Sequence, residues 1–154
     1  MSLNKIIIGF IVILLLFSAF IVLQINKTPP KPTVTIDNHT FSLEVATTSA
    51  QQQMGLSGRK SLAKDQGMLF VFNTPNRYPF WMKDMKFPLD IIFMNNNKII
   101  SIFNNVPAPK DANTQNLPIY VPDAPANQAL EINGGLAKTY NFKTGDTVKE
   151  TLKP

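Results

Sequence analysis

Cysteine is absent from all 154 residues, and histidine occurs once, at His39. The first absence excludes disulfides, thiolate metal sites, a cysteine nucleophile and lipoprotein-type lipid attachment. With a single histidine, no conventional zinc ligand set can be assembled either. A serine triad would have to be built around His39, which falls at the tip of a predicted hairpin, a poor place to gather a serine and an acid. The sequence also lacks a phosphate-cradling glycine motif and a calcium-loop pattern. Gly134-Gly135 reads as a tight backbone turn, since glycine adopts left-handed angles freely. No cofactor and no metal are expected.

Charge is sparse too. Charged residues make up 16% of the chain, against about 25% in an average soluble protein. The net charge of +5 suggests nucleic acid until it is divided along the chain. Lys5, Lys27 and Lys31 flank an apolar segment. From Pro32 onward twelve basic residues meet ten acidic ones, with no basic run. No nucleic-acid partner is expected, and the flanking lysines suit lipid headgroups better.

What the chain has instead is a long apolar run. Ile6 to Ile25 reads IIIGFIVILLLFSAFIVLQI without a charge. As a helix it would span about 30 Å, the hydrocarbon thickness of a bilayer. A signal peptide would have a shorter apolar region and a small-x-small cleavage site, neither of which is seen. Residues 1–26 are therefore expected to be an uncleaved signal-anchor and 27–32 a proline-rich spacer. Residues 33–154 are expected to form a β-rich globular domain, long enough for one core. Lysines lie on both sides of the apolar run, but a short basic leader favours a cytoplasmic amino terminus and an extracytoplasmic domain.

Within the domain the dominant period is two. Val34 to Ile36 and Thr40 to Val45 suggest a hairpin about Asp37-Asn38. Thr48 with Gln51 and Ser49 with Gln52 form overlapping capping boxes that start a short helix ending near Gly55. Strands are predicted over Met68 to Phe72, Phe80 to Met82, Leu89 to Met94, Lys98 to Phe103, Gln128 to Asn133 and Thr147 to Leu152. Asn95 to Asn97 reads as a three-residue hairpin, and Gly145-Asp146 as a turn. Pro107 to Pro125 is too proline-rich and too long for a simple connection, which suggests a functional or edge-covering loop. The fold class is mostly β, a small barrel or sandwich with one short helix behind the apolar segment.

Three segments carry a further signal. They are Met54-Gly-Leu-Ser-Gly-Arg-Lys-Ser-Leu with Gly67-Met-Leu-Phe-Val-Phe, Phe80-Trp-Met-Lys-Asp-Met-Lys-Phe-Pro-Leu-Asp-Ile-Ile-Phe, and Ala129-Leu-Glu-Ile-Asn-Gly-Gly with the later Gly145-Asp146. Together they resemble the domain of unknown function 192, a small and mostly β family of bacteria and archaea, over about Phe41 to Leu152. Two places depart from its pattern: Asp84-Met85 stands where Asn-Thr is usual, and Asn133-Gly134-Gly135 where Asn-Ala-Gly is usual. The resemblance implies an architecture and carries no activity with it.

Asp90 and Glu131 are the polar residues of most interest. Asp90 shares a predicted strand face with Ile92 and Met94, while Leu89, Ile91 and Phe93 take the other. A carboxylate between two apolar faces needs partners. Backbone amides, Lys83, Lys86 or Arg59 could supply them, the more so if its role is structural; lining a pocket is the alternative. Glu131 would lie opposite Leu130 and Ile132, either exposed on an edge strand or paired with Asp90 as in a glycosidase. Phe80 and Met82 share one side and Trp81 takes the other. Core filling is the simpler role for Trp81; at the surface, with Tyr78 or Tyr120, it would form a stacking platform for a sugar or peptide. Lys83 and Arg59 would then pair with Asp90, Asp84 or a bound anion.

Three functions stay open. The first is a binding or accessory module of the cell envelope, held to the lipid bilayer by residues 6–25, with an envelope glycan or membrane protein as partner. The second is a hydrolase acting on an envelope polymer through Asp90 and Glu131. The third is a structural domain docking a membrane partner.

Overall fold

The computed structural model describes residues 3–25, 30–110 and 116–152. Spacer residues 27–29 and residues 111–115 of the proline-rich stretch lie outside them. The chain forms two compact units, Met1–Pro30 and Lys31–Pro154.

The first unit is the helix α1, Leu3–Ile25. Its apolar side chains from Ile6 to Ile21 find no cover within the protein. Among the described residues it is the one helix long and apolar enough to cross a membrane, by length and composition; a signal sequence has the same character.

Among its described residues the second unit has seven strands. They are β1 (Thr33–Ile36), β2 (His39–Ala46), β3 (Gln66–Asn76), β4 (Leu89–Asn95), β5 (Lys98–Val106), β6 (Ala126–Asn133) and β7 (Val148–Thr151). They make one sheet in the order β5-β4-β6-β3-β2-β1-β7. All neighbours are antiparallel except β2 and β3. That parallel pair requires a crossover, supplied by α2 (Ser49–Met54) and the loop after it.

The sheet curls into a half-barrel. Its two edge strands touch at one end, where Lys98 bridges Thr147. There Ile99 N–H donates to the Asp146 carbonyl at 3.0 Å and Val148 N–H to the Asn97 carbonyl at 2.9 Å. Side chains from both edges, Ile99 and Val148, share one core with Val34, Phe41, Leu69, Ile92 and Leu130. This is the concave face. The short helix α3 (Leu136–Thr139) closes it with Leu136 and Ala137. Phe70, Ile91, Phe93 and Ala129 point the other way, into a second core capped by Leu56, Phe80, Met82 and Met85. Alternation along Leu89–Met94 of β4 and Ala129–Ile132 of β6 serves both cores, so these inner strands carry apolar residues on both faces.

Several expectations are corrected. The β4–β5 hairpin has a two-residue turn, because Asn95 pairs with Lys98. Asn96 and Asn97 both have positive φ (48° and 60°), as a type I′ turn requires. Phe80 to Met82 is not a strand but a single bridge, Phe80 to Tyr120. His39 belongs to β2 rather than to the turn, and its ring stacks on Tyr140 at 3.6 Å. The helix at Thr48 forms with its capping box complete: Gln51 N–H donates to Thr48 Oγ1 and Thr48 N–H to Gln51 Oε1. Ser49 starts no second box; Gln52 instead reaches across to the Val71 carbonyl at 2.8 Å, tying α2 to β3.

Candidate functional site

Strand register decides the relation between the two carboxylates. Asp90 pairs with Ile132, and Glu131 pairs with Ile91 on β4 and Met68 on β3. Residues directly opposite share a face, so Asp90 lies with the concave core and Glu131 with the outer one. The Asp90–Glu131 pair that the hydrolase alternative requires is not formed, because the sheet stands between them.

Asp90 is fully buried. Its Oδ1 accepts from the amides of Asn105 (2.6 Å) and Gly135 (2.8 Å), and its Oδ2 from Ala137 (2.6 Å). Gly135 is the N-cap of α3 and offers no side chain of its own. Asp90, from a distant strand, therefore supplies the cap. The backbone amides foreseen as partners are present; Lys83, Lys86 and Arg59 are not. Arg59 instead forms a two-pronged ion pair with Glu44, Nη2 to Oε2 at 2.8 Å and Nη1 to Oε1. Lys83 is exposed, and its carbonyl accepts from Ser57 Oγ at 2.8 Å.

Glu131 differs from the sequence expectation most. It sits on β6, which lies between β4 and β3 rather than at an edge, and it is only 5% exposed. Its Oε2 has no hydrogen-bond partner among the described residues. Burial pushes its carboxyl up to about 8, with the charge of Arg59 acting in the opposite direction.

This carboxyl forms part of the wall of an open pocket of about 290 Å³. The lining divides into three parts. Helix α2 and the turn after it give Ser49, Gln52, Gln53 and Met54, then Gly55, Leu56 and Ser57. From β3 come Phe70 and Phe72, and from the segment beyond it Tyr78, Pro79, Phe80, Trp81 and Met85. The aromatic rings are locked together: Phe72 stacks on Tyr78 at 3.8 Å, and Phe70 meets Phe80 edge-on at 4.9 Å. Gly55 has a positive φ of 50°, and a Cβ there would come within 3.4 Å of Phe70 and 3.9 Å of Glu131 Oε2. A small residue at this turn keeps the approach to the carboxyl open.

Trp81 lines this pocket and is 45% exposed, so it does not fill the core as expected. Phe80 and Met82 do. Tyr78 is half-buried at the same pocket. Tyr120 is not part of its lining; it hydrogen-bonds through its backbone to Phe80 and packs its ring on Phe103 at 5.4 Å. The described part of the proline-rich stretch is thus pinned to this wall, helped by Arg77 Nε donating to the Pro122 carbonyl at 2.7 Å. Of this wall the sequence reading singled out Trp81 and Tyr78 as a stacking platform; Phe70, Phe72 and Phe80 were not recognised as site elements. The signal available was the crowding of Phe70, Phe72, Tyr78, Phe80 and Trp81 into twelve positions.

The family model for domain of unknown function 192, described as an uncharacterized ACR, matches residues 32–150. A crystal structure of a protein of unknown function from Novosphingobium aromaticivorans is similar at 36% identity and a TM-score of 0.68. The match covers 77% of this chain and 82% of that one. A second, from Sinorhizobium meliloti and named as a candidate transcription regulator, is 28% identical with a TM-score of 0.66. It covers 77% of this chain and 91% of that one. No curated protein matches this chain.

Proposed function

The chain belongs to the family of domain of unknown function 192, and on that footing we propose that it is a membrane-held binding module of the cell envelope. Its site is the pocket between α2, β3 and the segment 78–85, and its recognition group is Glu131. One observation carries the reading. A buried carboxyl with an unpartnered oxygen stands at the wall of an open, aromatic-lined pocket. Leaving such an oxygen without a donor costs about 1–3 kcal/mol or more, a cost that a bound donor would remove. Pockets of this kind, apolar with a few placed polar groups, are the usual form of small-ligand sites.

Helix α1 supports the tether, with the lipid bilayer as its partner. The proposal places the β domain outside the cytoplasm, with Lys5 on the inner side. A phosphatase reporter fused after Pro154 should then be active, and a cytoplasmic signal from it would reverse the orientation.

The pocket is tested with a small-molecule screen. Trp81 is the only tryptophan and lines the site, so its emission reports occupancy directly. Ligands should shift that emission and lose affinity when Gly55→Val fills the space before Glu131. If no compound perturbs Trp81, or if hits bind the variant equally well, the pocket is not the site.

A further inference from the structure

We infer that the pocket takes the ammonium end of an organic amine, with the ammonium against Glu131 and its apolar stem lying between the aromatic side chains toward Trp81. This rests on the binding reading above and specifies its ligand class.

The lining is one-sided in charge. Among the described residues, Glu131 is its only acidic residue, and no lysine or arginine contributes to it. An anion would find no cation in the described lining to pair with. A neutral ligand could use the free oxygen, but an amide or hydroxyl side chain would serve it as well and be cheaper to bury. A carboxyl in this place is best matched by a donor that carries positive charge. The walls agree, because Phe70, Phe72, Tyr78, Phe80 and Trp81 line the same space and aromatic faces attract cations. The depth of the carboxyl sets the shape of the ligand. Glu131 is 5% exposed whereas Trp81 is 45% exposed and Met54 69% exposed. A terminal ammonium on a short apolar stem reaches inward while the stem covers the apolar walls. An amine bearing a phosphate close to its nitrogen does not fit, since the lining offers that phosphate no cation.

The surroundings of Glu131 allow its proton to answer to the ligand. On the neighbouring strands its direct partners are Met68 and Ile91, both apolar. Helix α2 brings Ser49, Gln52, Gln53 and Met54 to the lining, none of them titratable at neutral pH, and the segment 78–85 brings Tyr78. Lys83 and Asp84 in that segment are exposed and outside the lining. Arg59 is the cation whose charge reaches Glu131, and it is already engaged by Glu44. An ammonium therefore binds the ionised carboxylate and displaces its proton. Below the Glu131 pKa of about 8, affinity should rise with pH and then level off above it.

The experiment uses the full chain in lipid nanodiscs, with Trp81 emission as the readout and two probes of matched stem, n-butylammonium and 1-butanol. Butylammonium should bind more tightly than butanol at pH 8. Its Kd should fall by about tenfold between pH 6 and pH 7 as the ionised fraction grows. Butanol should show no such trend. Glu131→Gln should weaken butylammonium by at least about tenfold at pH 8, the loss of one charge-assisted bond, and leave butanol nearly unchanged. The wild-type pH series stands even if that variant folds poorly. Nα-acetyl-lysine methylamide carries the same stem on a peptide. Tighter binding than butylammonium assigns the ligand to a lysine side chain, and weaker binding assigns it to a free amine. Equal affinity for both matched probes with no pH trend overturns the amine assignment but leaves a working pocket. Silence of Trp81 toward every probe overturns the amine and, with a blank screen, the pocket as well.

Discussion

Asp90 and Glu131 stand one residue out of register on neighbouring strands, and the sheet gives them opposite chemistry. Asp90 is saturated by three backbone amides, whereas Glu131 keeps an oxygen free. Asp90→Asn should lower the melting temperature of the protein, since charge-assisted bonds contribute about 1.5–3 kcal/mol each. Asp90→Ala should lower it further by orphaning three amides; thermal melts of both variants beside wild type are the check, and unchanged midpoints would remove Asp90 from the structural role. Glu131 predicts a pH dependence. Its folded pKa is raised to about 8 from 4.5, so the native state holds a proton that the unfolded chain releases. The stability tied to this group is complete below pH 4.5 and is lost progressively up to about pH 8. The loss is on the order of a few kcal/mol, and Glu131→Gln should flatten it in melts run from pH 5 to pH 8. That Asp90 is buried and needs partners was legible in the sequence, because both faces of its strand are apolar; the choice of backbone amides over Lys83, Lys86 or Arg59 was not, because it rests on loops brought in from Asn105 and Gly135. The burial of Glu131 was not, because alternation says which residues share a face and not which strands flank it.

Elements with local signals were read well, and those made by distant partners were not. Thr48 and Gln51 lie three residues apart and cap α2 by themselves. Helix α3 is only four residues long, and its cap comes from Asp90 on β4, so no local pattern announces it. The parallel β2–β3 pair and the central position of β6 also depend on contacts far apart in sequence. Gly67 shows how closely β3 and β6 meet. A Cβ there would lie 2.8 Å from the Glu131 carbonyl oxygen and 3.1 Å from Ile132 Cγ2, and a backbone oxygen held in a ladder cannot withdraw. Gly67→Ala should therefore destabilise the protein by about 1–3 kcal/mol through overpacking. It should also disturb Glu131 beside it. Urea unfolding followed by Trp81 emission measures the first effect, and an unaltered midpoint would show that the strands can part.

At the scale of the whole molecule the boundary after Pro30 is the useful fact. Every strand and both cores belong to the unit that begins at Lys31. A chain starting there should be soluble without detergent and should melt cooperatively, with a midpoint close to that of the full-length protein. An insoluble or non-cooperative product would mean that the apolar helix contributes to the fold. The long apolar run was evident from composition alone, because about twenty uncharged residues leave few alternatives. The closure of the sheet was not evident, since it depends on β7 returning to β1.

That return has a mechanical side. The first strand after the apolar helix in chain order, β1, is not at the margin of the sheet but between β2 and β7, hydrogen-bonded to both. With α1 in a bilayer, any pull between the membrane and something gripping the domain is delivered first to Thr33. An outermost strand could be peeled away one bond at a time. This one must break two ladders together, so the half-barrel takes the load at a reinforced seam rather than at a fraying hem.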